Sequence, residues 1–163
     1  MQEELAEIYT DGSCNTQNRI GAWVAIIFTA IGKKVLAETV TNTTHNRMEL
    51  SAVIKAIEYI KDNYPGITTI KLFSDSQYVV GLPGRREKLS VSGFSTKKGN
   101  DIQNADLVKK LFAHLSTLPV EFIKVKAHQK QGATFNYNIE ADKLSRKMAR
   151  DAAEKLIGLS KSQ

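Results

Sequence analysis

Four acidic residues in separate segments of the chain are the ones whose types and positions could do chemistry. Asp11 and Asp75 each follow an apolar run, Glu49 lies near the start of a predicted helix, and Asp142 lies inside another. If the fold brings them together, each pair at about 5 Å repels by roughly 3 kcal/mol at an effective dielectric of about 20. Six such pairs cost on the order of 20 kcal/mol, more than the whole stability of a typical domain. The acids therefore either hold divalent cations between them or do not meet.

The two acids that follow apolar runs also have local explanations. Asp11 precedes Gly12, and an Asp-Gly pair is a common turn signal. Asp75 could be the N-cap of the helix predicted after it. Neither explanation accounts for both acids following apolar strands, which is where open α/β sheets place their chemistry.

The two acids in helical segments have local explanations as well. Glu49 comes three residues after Asn46, which is the spacing of a capping box at the start of a helix. Asp142 has Arg146 four residues later, so the two side chains could form a surface ion pair. Taken one at a time, these local roles remain open for both residues.

The elements that must position the acids follow from the periodicity of apolar residues. Strands are predicted at residues 4–10, 21–29, about 34–41, 67–74 and 120–125. Helices are predicted from about 47 to 63, as a short segment through 78–80, at 105–118 and from about 137 to 157, with a Gly- and Lys-rich stretch at 81–101. The order β-β-β-α-β-α-α-β-α predicts an α/β fold, a five-stranded mixed sheet flanked by helices. With no linker or repeat, residues 1–158 are expected to form a single domain, and residues 159–163 a frayed tail.

Composition limits the class of protein. The chain has 163 residues, of which 42% are hydrophobic, enough for one domain with a proper core. No apolar run approaches the roughly 20 residues of a membrane span, and the acidic N-terminus is unlike a secretory signal. The single cysteine, Cys14, excludes an internal disulfide and suits a reducing cytoplasm, where we expect the protein to act. A net charge of +6 favours a polyanionic partner, although a basic protein without any nucleic-acid partner has the same composition.

Five short segments resemble the type-1 ribonuclease H family, in the order and with spacing similar to that of the family. The segments are residues 9–14 (YTDGSC), 46–50 (NRMEL), 74–79 (SDSQYV), 125–128 (VKAH) and 138–142 (NIEAD). The resemblance extends over nearly the whole chain. It implies the ribonuclease H-like fold, in which the first strand is central and lies next to the fourth, in agreement with the predicted element order.

The resemblance also implies an activity and a set of catalytic residues. The metal site of the family maps onto Asp11, Glu49, Asp75 and Asp142, and its mobile histidine maps onto His128, which without the resemblance is an ordinary surface histidine. The expected activity is endonucleolytic hydrolysis of the RNA strand of RNA/DNA hybrids with two Mg²⁺ ions, for which Mn²⁺ can substitute. The products should carry 5′-phosphate and 3′-hydroxyl ends.

Expected substrate contacts also come from the resemblance, and for each the alternative is a solvated loop residue. Recognition of the RNA 2′-hydroxyl in the minor groove is expected from Ser13, Cys14, Asn46 and Gln77, with weaker candidates in Asn15 and Gln17. A pocket for a phosphate of the DNA strand is expected from Thr44 and Asn104. A basic stretch that includes Arg85, Arg86 and Lys88 should attract phosphates and make binding sensitive to salt.

Two positions depart from the family pattern. His45 stands where relatives commonly carry asparagine, and the one tryptophan, Trp23, lies in the second predicted strand rather than in the basic stretch. We expect a free-standing gene product, because Met1 is followed almost at once by the first strand, and we also expect a monomer. The alternatives are a non-catalytic hybrid-binding protein, a ribonuclease H domain cut from a reverse-transcriptase polyprotein, and a structural protein whose acids are all caps and turns.

Overall fold

The computed structural model describes residues 4–126 and 137–161. Its strands are β1 (Glu4–Asn15), β2 (Ile20–Thr29), β3 (Gly32–Val40), β4 (Ile67–Ser74) and β5 (Val120–Lys124). Its helices are α1 (His45–Asn63), α2 (Gln77–Val91), α3 (Ala105–Leu115) and α4 (Tyr137–Lys161). The element order and the α/β fold class are those predicted from the sequence.

The five strands form one mixed sheet in the order β3-β2-β1-β4-β5. Strands β1, β2 and β3 are antiparallel neighbours, whereas β4 runs parallel to both β1 and β5. Because β1 and β4 are adjacent and parallel, their carboxyl-terminal ends lie at the same edge of the sheet. This is the edge at which Asp11 and Asp75 follow apolar residues.

Strand β2 is buried on both faces along most of its length because a helix covers each side of the sheet there. Alternate residues of β2 point to opposite sides, so that Ala25 and Ile27 join the core beneath α1 whereas Val24 and Ile26 pack against α4. On the α1 side the core is formed by apolar residues at helical spacing, among them Leu50, Val53, Ile54, Ile57 and Ile60. Burial on both faces explains why β2 is a continuous apolar run rather than an alternating one.

Strand β1 is longer than predicted. The prediction ended it at residue 10, before the Asp11-Gly12 pair, but it continues to Asn15, and Asp11 lies opposite Val24 in the ladder with β2. The prediction was wrong because β2 offers hydrogen-bond partners along this whole stretch, and this ladder outweighs the local turn preference of Asp-Gly.

Helix α2 is also longer than predicted. The prediction ended it near residue 80 in a Gly- and Lys-rich stretch, but it continues through Pro83 to Val91. Val79, Leu82 and Leu89 are buried on one face, and this packing compensates for the poor helix propensity of glycine and proline. At the end of the described chain, α4 runs to Lys161, past its predicted end near residue 157.

Within the described ranges 4–126 and 137–161, we find no helix with the length and low charge that crossing a bilayer requires.

Candidate metal centre

Three of the four acids meet at the edge of the sheet. Asp11 comes from β1, Glu49 from the second turn of α1 and Asp75 from the residue after β4. Each offers one carboxylate oxygen, and the three oxygens all lie within 4.8 Å of one another. Oxygens from distant segments that approach this closely form the kind of ligand set that a hard divalent cation prefers.

Gly12 allows helix α1 to come this close to β1. A Cβ atom at this position would lie 2.5 Å from the backbone nitrogen of Glu49 and 2.6 Å from the carbonyl carbon of Met48. Both neighbours are main-chain atoms, which cannot move aside without shifting the helix. Glycine is therefore required at position 12 if Glu49 is to reach Asp11.

Asp142 lies at the same cavity, on α4. The cavity has a volume of about 500 Å³ and is lined by Asp11, Gly12, Ser13, Cys14, His45, Asn46, Glu49, Asp75, Ser76, Gln77, Tyr78, Asp142 and Arg146. Asp142 lies outside the group of three close oxygens, and its Oδ1 is 3.1 Å from Nε of Arg146. All four predicted acids thus face one cavity, and three of them are in direct proximity.

The carboxylate of Asp11 is buried, with only 3% of the residue exposed. Burial is the main reason that its pKa is raised from 3.8 to about 9, and the negative charges of Glu49 and Asp75 add to the effect. Ser145, on α4, partly offsets these effects by donating a hydrogen bond from its Oγ to Asp11 Oδ2 at 2.8 Å. In the absence of a cation, Asp11 is therefore held in its protonated form at neutral pH.

Glu49 is buried as deeply, and its pKa is also raised, chiefly by burial. His45 Nε2 lies 3.3 Å from Glu49 Oε1, and this hydrogen bond is the main cause of a raised pKa at His45. The other oxygen, Oε2, is buried and has no hydrogen-bond partner among the residues that the structure describes. A buried carboxylate oxygen without a donor is costly unless a cation contacts it.

The local explanations for three of the acids do not hold. Asp11 is inside a strand rather than in a turn. The N-cap of α1 is Thr44, whose Oγ1 accepts a hydrogen bond from the backbone N–H of Arg47 at 3.3 Å, so the proposed Asn46–Glu49 capping box does not form.

Helix α2 is capped by Ser76, whose Oγ accepts from the N–H of Val79 at 3.2 Å, and Asp75 is therefore not the N-cap. The local explanation for Asp142 does hold, since Arg146 pairs with it one helical turn away. That pairing does not conflict with a place at the cavity, because both side chains line it.

The residues expected to contact substrate fall into separate groups. Ser13, Cys14, Asn46 and Gln77 line the acid cavity. Asn15 ends β1, where its Oδ1 accepts a hydrogen bond from the backbone of Asn18 at 3.0 Å, and Gln17 lies in the turn that follows; neither lines the cavity.

Thr44 and Asn104 face each other across an adjacent cavity of about 390 Å³, which is also lined by His45, Asn46 and Gln103. Arg47 borders this region, with Nη1 3.4 Å from Asn104 Oδ1. The same guanidinium makes a two-pronged ion pair with Asp106, at 3.0 and 2.9 Å. Two residues far apart in the sequence thus line the same cavity.

The basic stretch forms part of a helix rather than a loop. Arg85, Arg86 and Lys88 lie on α2, and they do not line the acid cavity. Arg86 donates a hydrogen bond to Ser116 Oγ, and its guanidinium lies 5.9 Å from the centre of the Phe112 ring. The predicted histidine, His128, lies outside the described residues.

The residues that support the acids were not identified from the sequence. Ser145 is a fully buried polar residue one helical turn after Asp142, on the face of α4 that also buries Ala141 and Ala149. Asn138 is also buried, and its Nδ2 donates to the Thr10 carbonyl at 3.3 Å, which fixes the start of α4 beside β1. The signal that could have identified both is a polar side chain at a core position of an amphipathic helix.

A larger cavity of about 720 Å³ lies between β3 and α1, away from the acids. Its charged lining is balanced, with Lys34, Lys55, Lys61, Glu38, Glu58 and Asp62. It contains no close group of carboxylate oxygens, since the group that could hold a metal among the described residues is that of Asp11, Glu49 and Asp75. The smaller cavity is therefore the better candidate for chemistry.

Comparisons with known proteins agree with this geometry. The model of the family described as RNase H matches residues 3–150. Ribonuclease H from a Wolbachia strain of Drosophila simulans is 35% identical over 153 residues, which cover 93% of this chain and 100% of the relative. Ribonuclease H from Thermoanaerobacter sp. (strain X514) is 34% identical over 144 residues, covering 87% of this chain and 88% of the relative.

Solved structures share the fold. The crystal structure of LC9-RNase H1, described as a type 1 RNase H with the type 2 active-site motif, superposes with a TM-score of 0.76 at 24% identity and covers 93% of this chain and 74% of its own. The N-terminal RNase H domain of a Mycobacterium tuberculosis protein, solved as a fusion with maltose-binding protein, has a TM-score of 0.71 at 18% identity, with coverage of 94% and 99%.

Proposed function

The chain belongs to the RNase H family, and we propose that Asp11, Glu49, Asp75 and Asp142 form the catalytic centre with which it hydrolyses the RNA strand of RNA/DNA hybrids. The main support for this assignment is that one carboxylate oxygen from each of Asp11, Glu49 and Asp75 lies within 4.8 Å of the other two. The family uses divalent metal ions, and these clustered carboxylates are suited to holding them.

The acids fit divalent ions on three counts. All their donor atoms are carboxylate oxygens, which favour Mg²⁺ or Mn²⁺ over thiophilic metals. Glu49 Oε2 is buried without a donor, and the pKa of Asp11 is raised to about 9, so both carboxylates gain from a nearby cation. We infer that Asp11, Glu49, Asp75 and Asp142 would together hold two Mg²⁺ ions. When bound, such ions supply charge stabilisation at the scissile phosphate and lower the pKa of water at the site.

The surrounding residues hold the acids in place. Ser145 donates a hydrogen bond to one oxygen of Asp11, and His45 contacts one oxygen of Glu49, so both carboxylates are restrained in position. Preorganised ligands of this kind avoid the cost of rearrangement when metal and substrate arrive. Attack of a water oxygen on the phosphorus, opposite the 3′-oxygen, would form a new P–O bond and break the bond to the 3′-oxygen. The 3′-oxygen takes up a proton, and the ends are 5′-phosphate and 3′-hydroxyl. We propose that His128 assists proton transfer or product release.

Substrate choice follows from the polar residues around the acids. Ser13, Cys14, Asn46 and Gln77 line the acid cavity, and we propose that they contact the 2′-hydroxyls of the RNA strand. Thr44 and Asn104 form a neighbouring pocket suited to a phosphate of the DNA strand. Asn15, Gln17, Arg85, Arg86 and Lys88 are proposed as more distant contacts.

We further propose that the protein acts as a monomer in the cytoplasm and that residues 1–158 form one catalytic domain. The single sheet that joins all five strands supports one domain. The half-buried free cysteine, Cys14, suits a reducing compartment.

Digestion of matched duplexes tests the proposed function. An RNA/DNA hybrid, an RNA duplex and a DNA duplex of one sequence are incubated with Mg²⁺ or with EDTA, and labelled strands are resolved on a gel. We expect cutting of the RNA strand of the hybrid alone, and only with Mg²⁺. Binding of the hybrid without cutting in Mg²⁺ or Mn²⁺ would instead support a non-catalytic hybrid-binding protein.

A further inference from the structure

Helix α4 carries a row of cationic side chains that starts at the acid cavity. Lys143, Arg146, Lys147 and Arg150 are all exposed. Their spacing of i, i+3, i+4 and i+7 places them on one face of the helix. The opposite face, which includes Ala141, Ser145 and Ala149, is buried against the sheet.

Arg146 connects this row to the catalytic centre. It lines the acid cavity, and its Nε lies 3.1 Å from Asp142 Oδ1. Arg150 is one turn further along the same side of the helix, about 6 Å beyond Arg146 at a rise of about 1.5 Å per residue. A strand whose scissile phosphate lies at the acids therefore passes Arg146 first and Arg150 next if it leaves along α4.

The charges around the row leave it positive. Lys147 pairs with Asp151 at 3.0 Å, and Glu140 at the start of the helix pairs with Lys33 at 2.9 Å. Lys143 and Arg150 have no ion-pair partner within residues 4–126 and 137–161. Glu154, one turn after Arg150, marks the end of the row.

We propose that Arg146 and Arg150 bind consecutive backbone phosphates of the RNA strand beside the scissile bond, so that α4 directs the cleaved strand across the metal centre. This proposal rests on the proposed function, since it requires the RNA strand to lie at the acids. Guanidinium groups suit the role because they bind phosphate oxygens through two parallel hydrogen bonds. The separation of about 6 Å suits neighbouring phosphates of one strand, whose distance through space exceeds the rise of about 3.4 Å per nucleotide along the duplex axis.

Steady-state kinetics test the proposal with a matched control. Arg150→Gln should raise KM for the hybrid about 3- to 10-fold and leave kcat unchanged, because this contact forms equally in the ground and transition states. The slope of log kcat/KM against log salt should become shallower by about 0.7 to 0.9. The control, Lys155→Gln, removes the same charge from the same helix, but lies about 140° around its axis from Arg150, so it should alter neither quantity.

Single neutral linkages identify the strand that Arg150 contacts. In a series of hybrids, one nucleotide of the RNA strand near the cut has a 2′-deoxy sugar and a neutral methylphosphonate linkage, and its position differs from hybrid to hybrid. Each reference hybrid has the same 2′-deoxy sugar with a normal phosphate. At one position, the neutral linkage should raise KM for the wild type but not for Arg150→Gln. The proposal is overturned if the effects of Arg150→Gln and of the neutral linkage on KM are additive at every position of the RNA strand. It is also overturned if they are non-additive only for linkages in the DNA strand, or if Lys155→Gln raises KM as much as Arg150→Gln does. Failure of the wild type to cut the unmodified hybrid in Mg²⁺ would instead remove the proposed function itself.

Discussion

Replacing Asp11 with asparagine should stabilise the metal-free protein and remove its response to Mg²⁺. The reason is that the pKa of Asp11 is raised from 3.8 to about 9, first by burial and then by the charges of Glu49 and Asp75. Between these two values the folded state binds a proton that the unfolded state releases, so stability falls as pH rises from about 4 to about 9. Asparagine carries no charge and escapes this penalty.

The size of the gain can be bounded. The interval from 3.8 to pH 7 corresponds to at most about 4 kcal/mol at 1.36 kcal/mol per pH unit. Relaxation of the neighbouring acids Glu49 and Asp75 reduces this, and we expect a gain of about 1–3 kcal/mol. Asparagine is isosteric and its Oδ1 can still accept the hydrogen bond from Ser145, which is 2.8 Å long in the native protein. For a chain of this length the melting temperature should rise by about 3–10 °C.

Thermal unfolding followed by circular dichroism measures this difference. Wild type and Asp11→Asn are compared in EDTA at several pH values between 5 and 9, and then with Mg²⁺. The gap should widen with pH, and Mg²⁺ at about 100 times its Kd should stabilise the wild type by about 2.7 kcal/mol but the variant far less. Asp151→Asn is the control, because that acid is half exposed and paired with Lys147, so its loss should change stability little. A variant that is less stable than the wild type in EDTA above pH 7, or equally stabilised by Mg²⁺, would refute the reasoning.

Three further predictions concern the catalytic centre. Asp75→Asn should lower RNA-strand cleavage by at least about 100-fold while the hybrid still binds in a gel-shift assay; normal turnover would exclude Asp75 as a ligand. Gly12→Ala should destabilise the fold by about 2–4 kcal/mol in urea unfolding, because the new methyl group would lie 2.5 Å from the backbone nitrogen of Glu49, and unchanged stability would show that α1 can move aside. His128→Ala should lower kcat by about 10- to 100-fold without abolishing cleavage, and a full rate would count against a role in proton transfer or product release.

The fold was predictable from the sequence because the spacing of apolar residues indicates which faces of the strands and helices are buried. Strand β2 is a continuous apolar run because both of its faces are buried. Helix α1 has a single apolar stripe because only one of its faces packs on the sheet. The end of β1 and the length of α2 were not predictable. Asp11-Gly12 and Pro83 have strong local preferences, and only the partner strand and the packed core override them.

The four acids could be predicted to share a site, but the support that Ser145 gives to Asp11 could not. Asp11 and Asp75 follow apolar strands that turn out to be parallel neighbours, and this arrangement is visible in the order of the elements. His45 and Glu49 lie four residues apart on α1, so their contact follows from local helical spacing. The hydrogen bond from Ser145 to Asp11 depends instead on how α4 is rotated against the sheet. No local pattern of residues specifies that rotation.

Anomalous diffraction from crystals soaked in Mn²⁺ tests most directly whether the acids hold a pair of divalent ions. The crystals contain wild-type protein bound to a hybrid with a non-cleavable linkage. This complex should give two manganese peaks about 4 Å apart. Both peaks should lie within coordination distance of Asp11, one of them beside Glu49 and the other beside Asp142. A wild-type complex with no peak among these carboxylates, or with manganese bound only elsewhere on the surface, would contradict the account.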